Sequence, residues 1–160
     1  MKILGVDPGL QICGYGLVDW NKGAAALLEA GIVKTKSQDN IEKRLEHIYK
    51  NIVNLMKRVE PQAVALEKIY SHYRHPTTSY ALGQARGLIC LACAQLNIPL
   101  FEYPSTHIKK ALVGRGRASK DQIQRMVQQL LKIKECPKYF DVTDALAVAI
   151  THGHTIRMSL

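Results

Sequence analysis

Apolar and polar residues in the first part of the chain follow the two-residue period of β-strands. Residues 2–7 form a short apolar run that a Pro-Gly pair ends, because proline lacks a backbone donor and glycine tolerates positive φ. Residues 13–20 and 25–34 have the same strand-like character, and the intervening Asn-Lys-Gly sequence is typical of a hairpin turn. This part of the chain therefore predicts three consecutive strands.

The remainder of the chain alternates helix-like and strand-like segments. Asp39 is predicted to cap a helix that runs to about Arg58, because apolar residues recur there at helical spacing. After Pro61 the run AVALEKI predicts a fourth strand, and the run IPLFEY predicts a fifth. Four further helices are predicted, at residues 77–96, 104–112, 119–132 and 141–152.

This order of elements predicts an α/β fold. Three antiparallel strands followed by alternating helices and strands favour a five-stranded mixed sheet with helices on both faces. It is the element order of the ribonuclease H-like fold. The sequence has no internal repeat, low-complexity tract or linker, so residues 1–160 are expected to form a single domain. No run approaches the ~18 apolar residues that span a bilayer.

The positive charge is concentrated in one segment. The chain has a net charge of +9, and residues 105–140 carry nine Lys and Arg against two acids, which is +7 of that total. A one-sided basic segment on a compact protein indicates a polyanionic partner, and nucleic acid is the commonest. The alternative is a solvated basic face that serves solubility alone.

The four cysteines give no sign of a disulfide framework or a zinc site. A framework is not expected in a chain of 160 residues, so a reduced, cytoplasmic protein is the simplest interpretation. Cys90 and Cys93 form a Cys-x-x-Cys pair, but it lies inside an apolar helical pattern and lacks a second pair of ligands.

Five of the thirteen carboxylates stand on apolar elements rather than in polar surroundings. Asp7 ends the first strand, Glu67 lies in the run AVALEKI, and Glu102 lies near the end of the fifth strand. Asp141 and Asp144 open the last helix three residues apart, and therefore on one helix face. Since a buried carboxylate without a partner tends to take up a proton, these acids need a shared counter-charge.

A divalent cation is the counter-charge that this pattern favours. Lys68 is the nearest basic residue in sequence, but strand alternation points it away from Glu67. Oxygen ligands without His or Cys favour Mg²⁺ or Mn²⁺, and two such ions ~4 Å apart hydrolyse phosphodiesters. Alternatives stay open for each acid: Asp141 as an N-cap with Asp144 in a capping box, Asp7 in a turn, and a purely structural Glu67 or Glu102, which is less favoured for Glu67 because strand interiors disfavour glutamate.

Six segments together resemble the RuvC family of bacterial Holliday junction resolvases. They are ILGVDPG, CGYGLV, ALEKIY, LGQARG, FEYPSTHIKKALVGRGRASKDQIQRMV and DVTDALAVAITHGH, and they cover nearly the whole chain. The resemblance implies a homodimer that binds a four-way DNA junction and nicks it symmetrically, leaving 5′-phosphate and 3′-hydroxyl ends, in recombination and repair. It also implies the RuvA/RuvB branch-migration complex as a partner.

The resemblance further implies specific roles for residues at matching positions. The catalytic and metal-binding tetrad falls on Asp7, Glu67, Asp141 and Asp144, with two Mg²⁺ ions per site that Mn²⁺ can replace. The residues expected to bind DNA are the following: Tyr70 (where the family more familiarly has Phe), Arg74, His75, Lys109, Lys110, Arg115, Arg117 and Lys120. Basic side chains there neutralise phosphates, and the Tyr70 ring can stack on an unpaired base.

Two other function classes remain open at this point. The acid cluster alone does not choose the substrate, so another ribonuclease H-like nuclease acting on RNA or a hybrid is one alternative. A non-catalytic junction-binding protein is the other. An actin-like sugar kinase also has an Asp-x-Gly strand end, but 160 residues are too few for its two-domain ATP cleft. The Gly- and Ala-rich helix at 77–96 is the expected dimer surface.

Overall fold

The computed structural model describes residues 1–68 and 76–157, with the side chains of 76–79 and 157 excepted. Its sheet has five strands in the order β3-β2-β1-β4-β5, namely β1 (Lys2–Asp7), β2 (Ile12–Asn21), β3 (Ala24–Lys34), β4 (Ala63–Glu67) and β5 (Leu100–Tyr103). The first three strands are antiparallel, and β4 and β5 run parallel to β1. The predicted mixed sheet is confirmed.

Five helices cover the two faces of this sheet. They are α1 (Ile41–Val59), α2 (Pro76–Gln95), α3 (Ser105–Val113), α4 (Lys120–Leu131) and α5 (Phe140–Arg157). One buried cluster joins α3, α4 and α5 to the sheet, and the other joins α1 and α2 to the opposite face. Within the described ranges, no helix is both long enough and apolar enough to cross a membrane.

The alternation of side chains along β1 assigns each face. Ile3 packs in the α5 cluster, whereas Leu4 and Val6 pack in the α1 and α2 cluster. Positions 3, 5 and 7 therefore face α5. The turn between β2 and β3 has two residues of positive φ, Lys22 at 48° and Gly23 at 85°, as a type I′ hairpin requires.

Three details of the predicted elements are wrong, and one alternative that the sequence left open is excluded. Helix α1 is preceded by Asn40, not Asp39, at the N-cap position. Helix α5 starts at Phe140, so Asp141 lies in its first turn and is not an N-cap. The same helix continues past residue 152 to Arg157, because His152 is fully buried and Ile156 packs on the core. Strand β4 ends at Glu67 rather than at residue 69.

Candidate active site

Two of the predicted acids stand side by side at the carboxyl ends of neighbouring parallel strands. Asp7 ends β1 and Glu67 ends β4, and the preceding residues Val6 and Leu66 are register partners. Alternation places both side chains on the face that α5 covers. Asp7 is half-buried, whereas Glu67 is exposed at the rim of the sheet.

Helix α5 brings the other two acids to the same place. Gly14 on β2 is the register partner of Asp7, and a Cβ built on Gly14 would lie 2.8 Å from the Cβ of Asp141. The start of α5 thus occupies the space that a side chain at residue 14 would need. Asp144 follows three residues later, and both aspartates are half-buried. The fold therefore brings together all four acids of the predicted tetrad.

The four acids share one electrostatic field. Burial, followed by the negative charges of Asp144, Asp141 and Glu67, raises the pKa of Asp7 to about 7, against an opposing effect of Lys120. Burial also raises the pKa of Asp144, with Lys120 and Lys109 acting against the effect of burial. Both shifts are due first to burial and then to the neighbouring negative charges.

The donor set fits a hard divalent cation by its chemistry, although no ready-made cage exists. Within residues 1–68 and 76–157, no three His, Cys, Asp or Glu side chains are gathered closely enough to hold a metal ion as they stand. The donors are nevertheless carboxylate oxygens on packed elements, and a cation would stabilise the ionised form of Asp7, whose pKa is raised by burial and by the neighbouring acids. Asp7, Glu67, Asp141 and Asp144 are the residues that could hold such an ion.

A cavity of about 250 Å³ lies beside the acids. Two acids, Glu67 and Asp144, and two lysines, Lys109 and Lys120, line it together with Ser105 and apolar side chains of α3, α4 and α5. The Lys120 ammonium is 3.9 Å from an Asp144 carboxylate oxygen, and its side chain is 73% exposed. The site therefore combines clustered acids with cations that are free to turn toward a phosphate.

Two of the predicted DNA-binding residues of the basic segment, Lys109 and Lys120, line this cavity. Lys109 belongs to α3 and Lys120 begins α4, while Lys110, Arg115 and Arg117 are solvent-exposed on α3 and on the loop after it. The three other residues predicted to bind DNA, Tyr70, Arg74 and His75, lie outside the described residues.

Glu102 has the structural role that the sequence left open. It forms a close ion pair with Arg86 of α2, and it stands on the other face of the sheet from the four acids, as the partner of Leu66 in the ladder. Arg86 also donates a hydrogen bond of 2.8 Å to the backbone carbonyl oxygen of Glu67. Sequence reasoning quoted the LGQARG segment but missed this role for its arginine.

Asp7 gives a prediction about stability. Its pKa is 3.8 in an ordinary environment and about 7 in the fold, so the ionised form is disfavoured in the native state. Stability is therefore lost as the pH rises from about 4 to about 7. Asp7→Asn removes the ionisable group and is expected to raise the free energy of unfolding by on the order of 2 kcal/mol at pH 8, after allowance for partial exposure.

Thermal unfolding in EDTA between pH 4.5 and pH 8 measures this effect. The advantage of Asp7→Asn is expected to grow with pH and to level off above about pH 7. Asp39→Asn makes the same chemical change at an exposed position and is the control. Equal or lower stability of Asp7→Asn at pH 8 would contradict the crowding of negative charge at this site.

Comparisons with known proteins identify the family. The model of the family described as crossover junction endodeoxyribonuclease RuvC matches residues 3–152. The RuvC of Clostridioides difficile is 40% identical over 99% of this chain and 93% of its own length, and that of Pelotomaculum thermopropionicum is 43% identical over 96% and 93%.

A solved structure agrees with these sequences. Thermus thermophilus RuvC in complex with a Holliday junction substrate superposes with a TM-score of 0.93 at 33% identity, covering 99% of this chain and 96% of that one. A likeness of this extent involves the sheet, all five helices and the chain order that brings the four acids together. The chain belongs to the RuvC family of crossover junction endodeoxyribonucleases.

Proposed function

We propose that this chain is a divalent-metal-dependent endonuclease that binds four-way DNA junctions as a homodimer. It resolves them in recombination and repair by paired nicks that leave 5′-phosphate and 3′-hydroxyl ends. The observation that carries the proposal is the convergence of four acids beside basic side chains, in a family whose Thermus relative is solved with a Holliday junction. Residues 1–160 act as one domain in this proposal.

The catalytic roles belong to the four acids. Asp7, Glu67, Asp141 and Asp144 would hold two Mg²⁺ ions, which Mn²⁺ could replace, and such ions would supply activation of water and stabilisation of the charge on the leaving 3′ oxygen. The backbone of β1 and β4 fixes the origin of Asp7 and Glu67, and the first two turns of α5 fix the origin of Asp141 and Asp144. Such rigid placement keeps the carboxylates together against their mutual repulsion.

The cationic residues hold the DNA in this proposal. Lys109 and Lys120 line the same cavity as two of the acids, so they are placed to neutralise the phosphates next to the cut. The exposed residues Lys110, Arg115 and Arg117 extend this surface along the backbone. Tyr70, Arg74 and His75 are proposed to contact the strands at the junction, on the grounds of the family resemblance alone.

The homodimer is proposed to form through α2. Five residues at spacings of three and four form one face of this helix: Tyr80, Gly83, Gly87, Leu91 and Ala94. All five are exposed, none is charged, and Tyr80 and Leu91 are 71% and 48% exposed. Nothing lies within 4 Å of a Cβ built on Gly83 or Gly87, which leaves room for another helix to approach closely. A second copy of the chain fits a two-fold symmetric substrate.

Leu91→Glu tests this surface. A charge in the middle of an apolar contact is expected to weaken dimerisation by tenfold or more and to uncouple the two nicks. Leu28→Glu is the matched control, because Leu28 is 50% exposed and lies on β3. The substitution therefore makes the same chemical change at a different surface. Sedimentation of both variants gives the result, and a dimer unaffected by Leu91→Glu rules out α2 as the interface.

The cellular setting of the proposal follows the family. We place this protein in the cytoplasm, acting on junctions that the RuvA/RuvB branch-migration complex moves. Co-sedimentation of this chain with a RuvA/RuvB-bound junction measures that association.

The decisive experiment compares substrates. The protein with Mg²⁺ is expected to nick a synthetic four-way junction at two symmetric positions, and to leave linear duplex DNA and an RNA–DNA hybrid intact. The product ends are expected to be joined by ligase without further treatment. Preferential cutting of the hybrid would indicate a different ribonuclease H-like nuclease, and tight, salt-sensitive binding without turnover would indicate a junction-binding protein.

A further inference from the structure

The arginine of the LGQARG segment contacts the carboxyl-terminal ends of two strands from the face of the sheet opposite the tetrad. Arg86 lies on α2, and its side chain is only 14% exposed. Its Nη1 donates to the carbonyl oxygen of Glu67 at 2.8 Å, and its Nη2 forms the ion pair with Glu102. One guanidinium thus links α2 to the last residue of β4 and to β5.

The bond to the carbonyl oxygen bears directly on the direction of the Glu67 side chain. Glu67 is the last residue of β4, where the chain leaves the sheet. The next amide, of Lys68, donates to the carbonyl oxygen of Tyr103 at 2.8 Å, so the peptide between Glu67 and Lys68 is held at both its oxygen and its nitrogen. Because Glu67 is also paired with Tyr103 in the sheet, the backbone on both sides of its Cα is held, and this limits the direction of the Cα–Cβ bond that carries the exposed carboxylate.

The pairing of Arg86 excludes a direct part in DNA binding. Its guanidinium is mostly buried and already engaged by a carboxylate and a carbonyl oxygen. Glu102 keeps the guanidinium in place, because it is on the face of the sheet that α2 covers. An ammonium group could meet one of these two acceptors, but it lacks the planar fork that meets both together.

We propose that Arg86 is a positioning residue that acts through Glu67, fixing the backbone from which its carboxylate reaches the divalent cations. The inference rests on the proposed function, because it assigns Glu67 to the metal-binding set. It explains why Glu102, which stands on the face of the sheet opposite the tetrad, forms an ion pair with Arg86 beside the end of β4. It also gives the LGQARG segment a role in the chemistry. The sequence does not reveal this role, because the segment is distant in sequence from every acid of the tetrad.

Arg86→Gln is the principal test, with Arg86→Lys as the conservative variant. The midpoint of the Mg²⁺ dependence of single-turnover junction nicking is expected to rise by about 10- to 100-fold in Arg86→Gln, and by less in Arg86→Lys. The rise in unfolding temperature that Mg²⁺ or Ca²⁺ causes in the DNA-free protein is expected to require correspondingly more metal. Junction affinity in EDTA is expected to stay within about twofold of wild type, and saturating Mg²⁺ to restore most of the rate.

Two further variants separate positioning from general stability. Arg58→Gln removes the ion pair of Arg58 with Glu29, at 2.7 and 2.8 Å, between α1 and β3, and is expected to leave the metal dependence unchanged. Glu102→Gln keeps Arg86 but removes its anionic partner, so it is expected to shift the metal dependence in the same direction and by less than Arg86→Gln. If Arg86→Gln fails to fold, the shift in Glu102→Gln decides the matter.

An unchanged metal dependence in Arg86→Gln, or an equal shift in Arg58→Gln, overturns the positioning role alone. A wild-type protein with neither metal response nor nicking overturns the proposed function as well. Normal wild-type nicking together with an indifferent Arg86→Gln therefore distinguishes the two failures.

Discussion

Replacing Asp7 with asparagine is expected to lower the rate of junction nicking by about a thousandfold or more, while junction binding stays intact. The amide keeps the shape of the side chain but removes its negative charge, and metal ions in such sites supply several kcal/mol of transition-state stabilisation. Asp7 is the acid whose pKa is most strongly raised by burial and by the other three, so it stands where their fields overlap. Loss of this one negative charge should therefore abolish cutting without weakening the affinity for the polyanionic junction.

Single-turnover nicking at saturating protein, together with a binding titration in EDTA, measures both quantities. Glu67→Gln, Asp141→Asn and Asp144→Asn are expected to follow the same pattern. Asp39→Asn, at an exposed position, is expected to stay within about twofold of wild type in both assays. Nicking by Asp7→Asn at the wild-type rate would remove the acid cluster from the mechanism.

The tetrad could be predicted from the sequence because carboxylates are rare on apolar elements. Asp7 after a buried strand, and Asp141 and Asp144 on an apolar helix, stand out against the cost of burying charge. The order of strands and helices then predicted the sheet correctly, since strands 1 and 4 in this topology are parallel neighbours. The local pattern marked five acids, and the family resemblance then separated the four of the tetrad from Glu102.

The partners of these acids could not be predicted, because they come from distant parts of the chain. Elimination of Lys68 left a metal ion as the only counter-charge considered, yet the fold also brings the ammonium of Lys120 to 3.9 Å from Asp144. The ion pair of Arg86 and Glu102 likewise joins residues that are distant in sequence. Strand alternation determines which face a residue occupies, but only the crossing of helices over the sheet determines what it meets there.

The second large effect is expected at a glycine. Gly14→Ala places a methyl group against the backbone carbonyl of Asp141, and 2.8 Å from its Cβ. A helix backbone cannot turn aside as a side chain can, so the start of α5 must move away from β2 and carry Asp141 with it. We expect a loss of about 1–3 kcal/mol in the free energy of unfolding and a fall of about a hundredfold in nicking rate. The CGYGLV segment contains this signal, but small residues in a strand have several uses, so the contact with Asp141 is visible only in the fold.

Gly16→Ala is the matched control for this prediction. Gly16 lies two residues further along β2 and also faces α5, but its added methyl group meets chiefly the side chain of Leu146, with the Leu146 Cγ at 2.6 Å. This substitution crowds the core without touching a residue of the tetrad, so it is expected to lower stability while folded protein keeps most of its nicking rate. Measurement of both variants at a temperature where each is folded separates the two effects. Equal activity of Gly14→Ala and Gly16→Ala would mean that the distance between α5 and β2 does not control the position of Asp141.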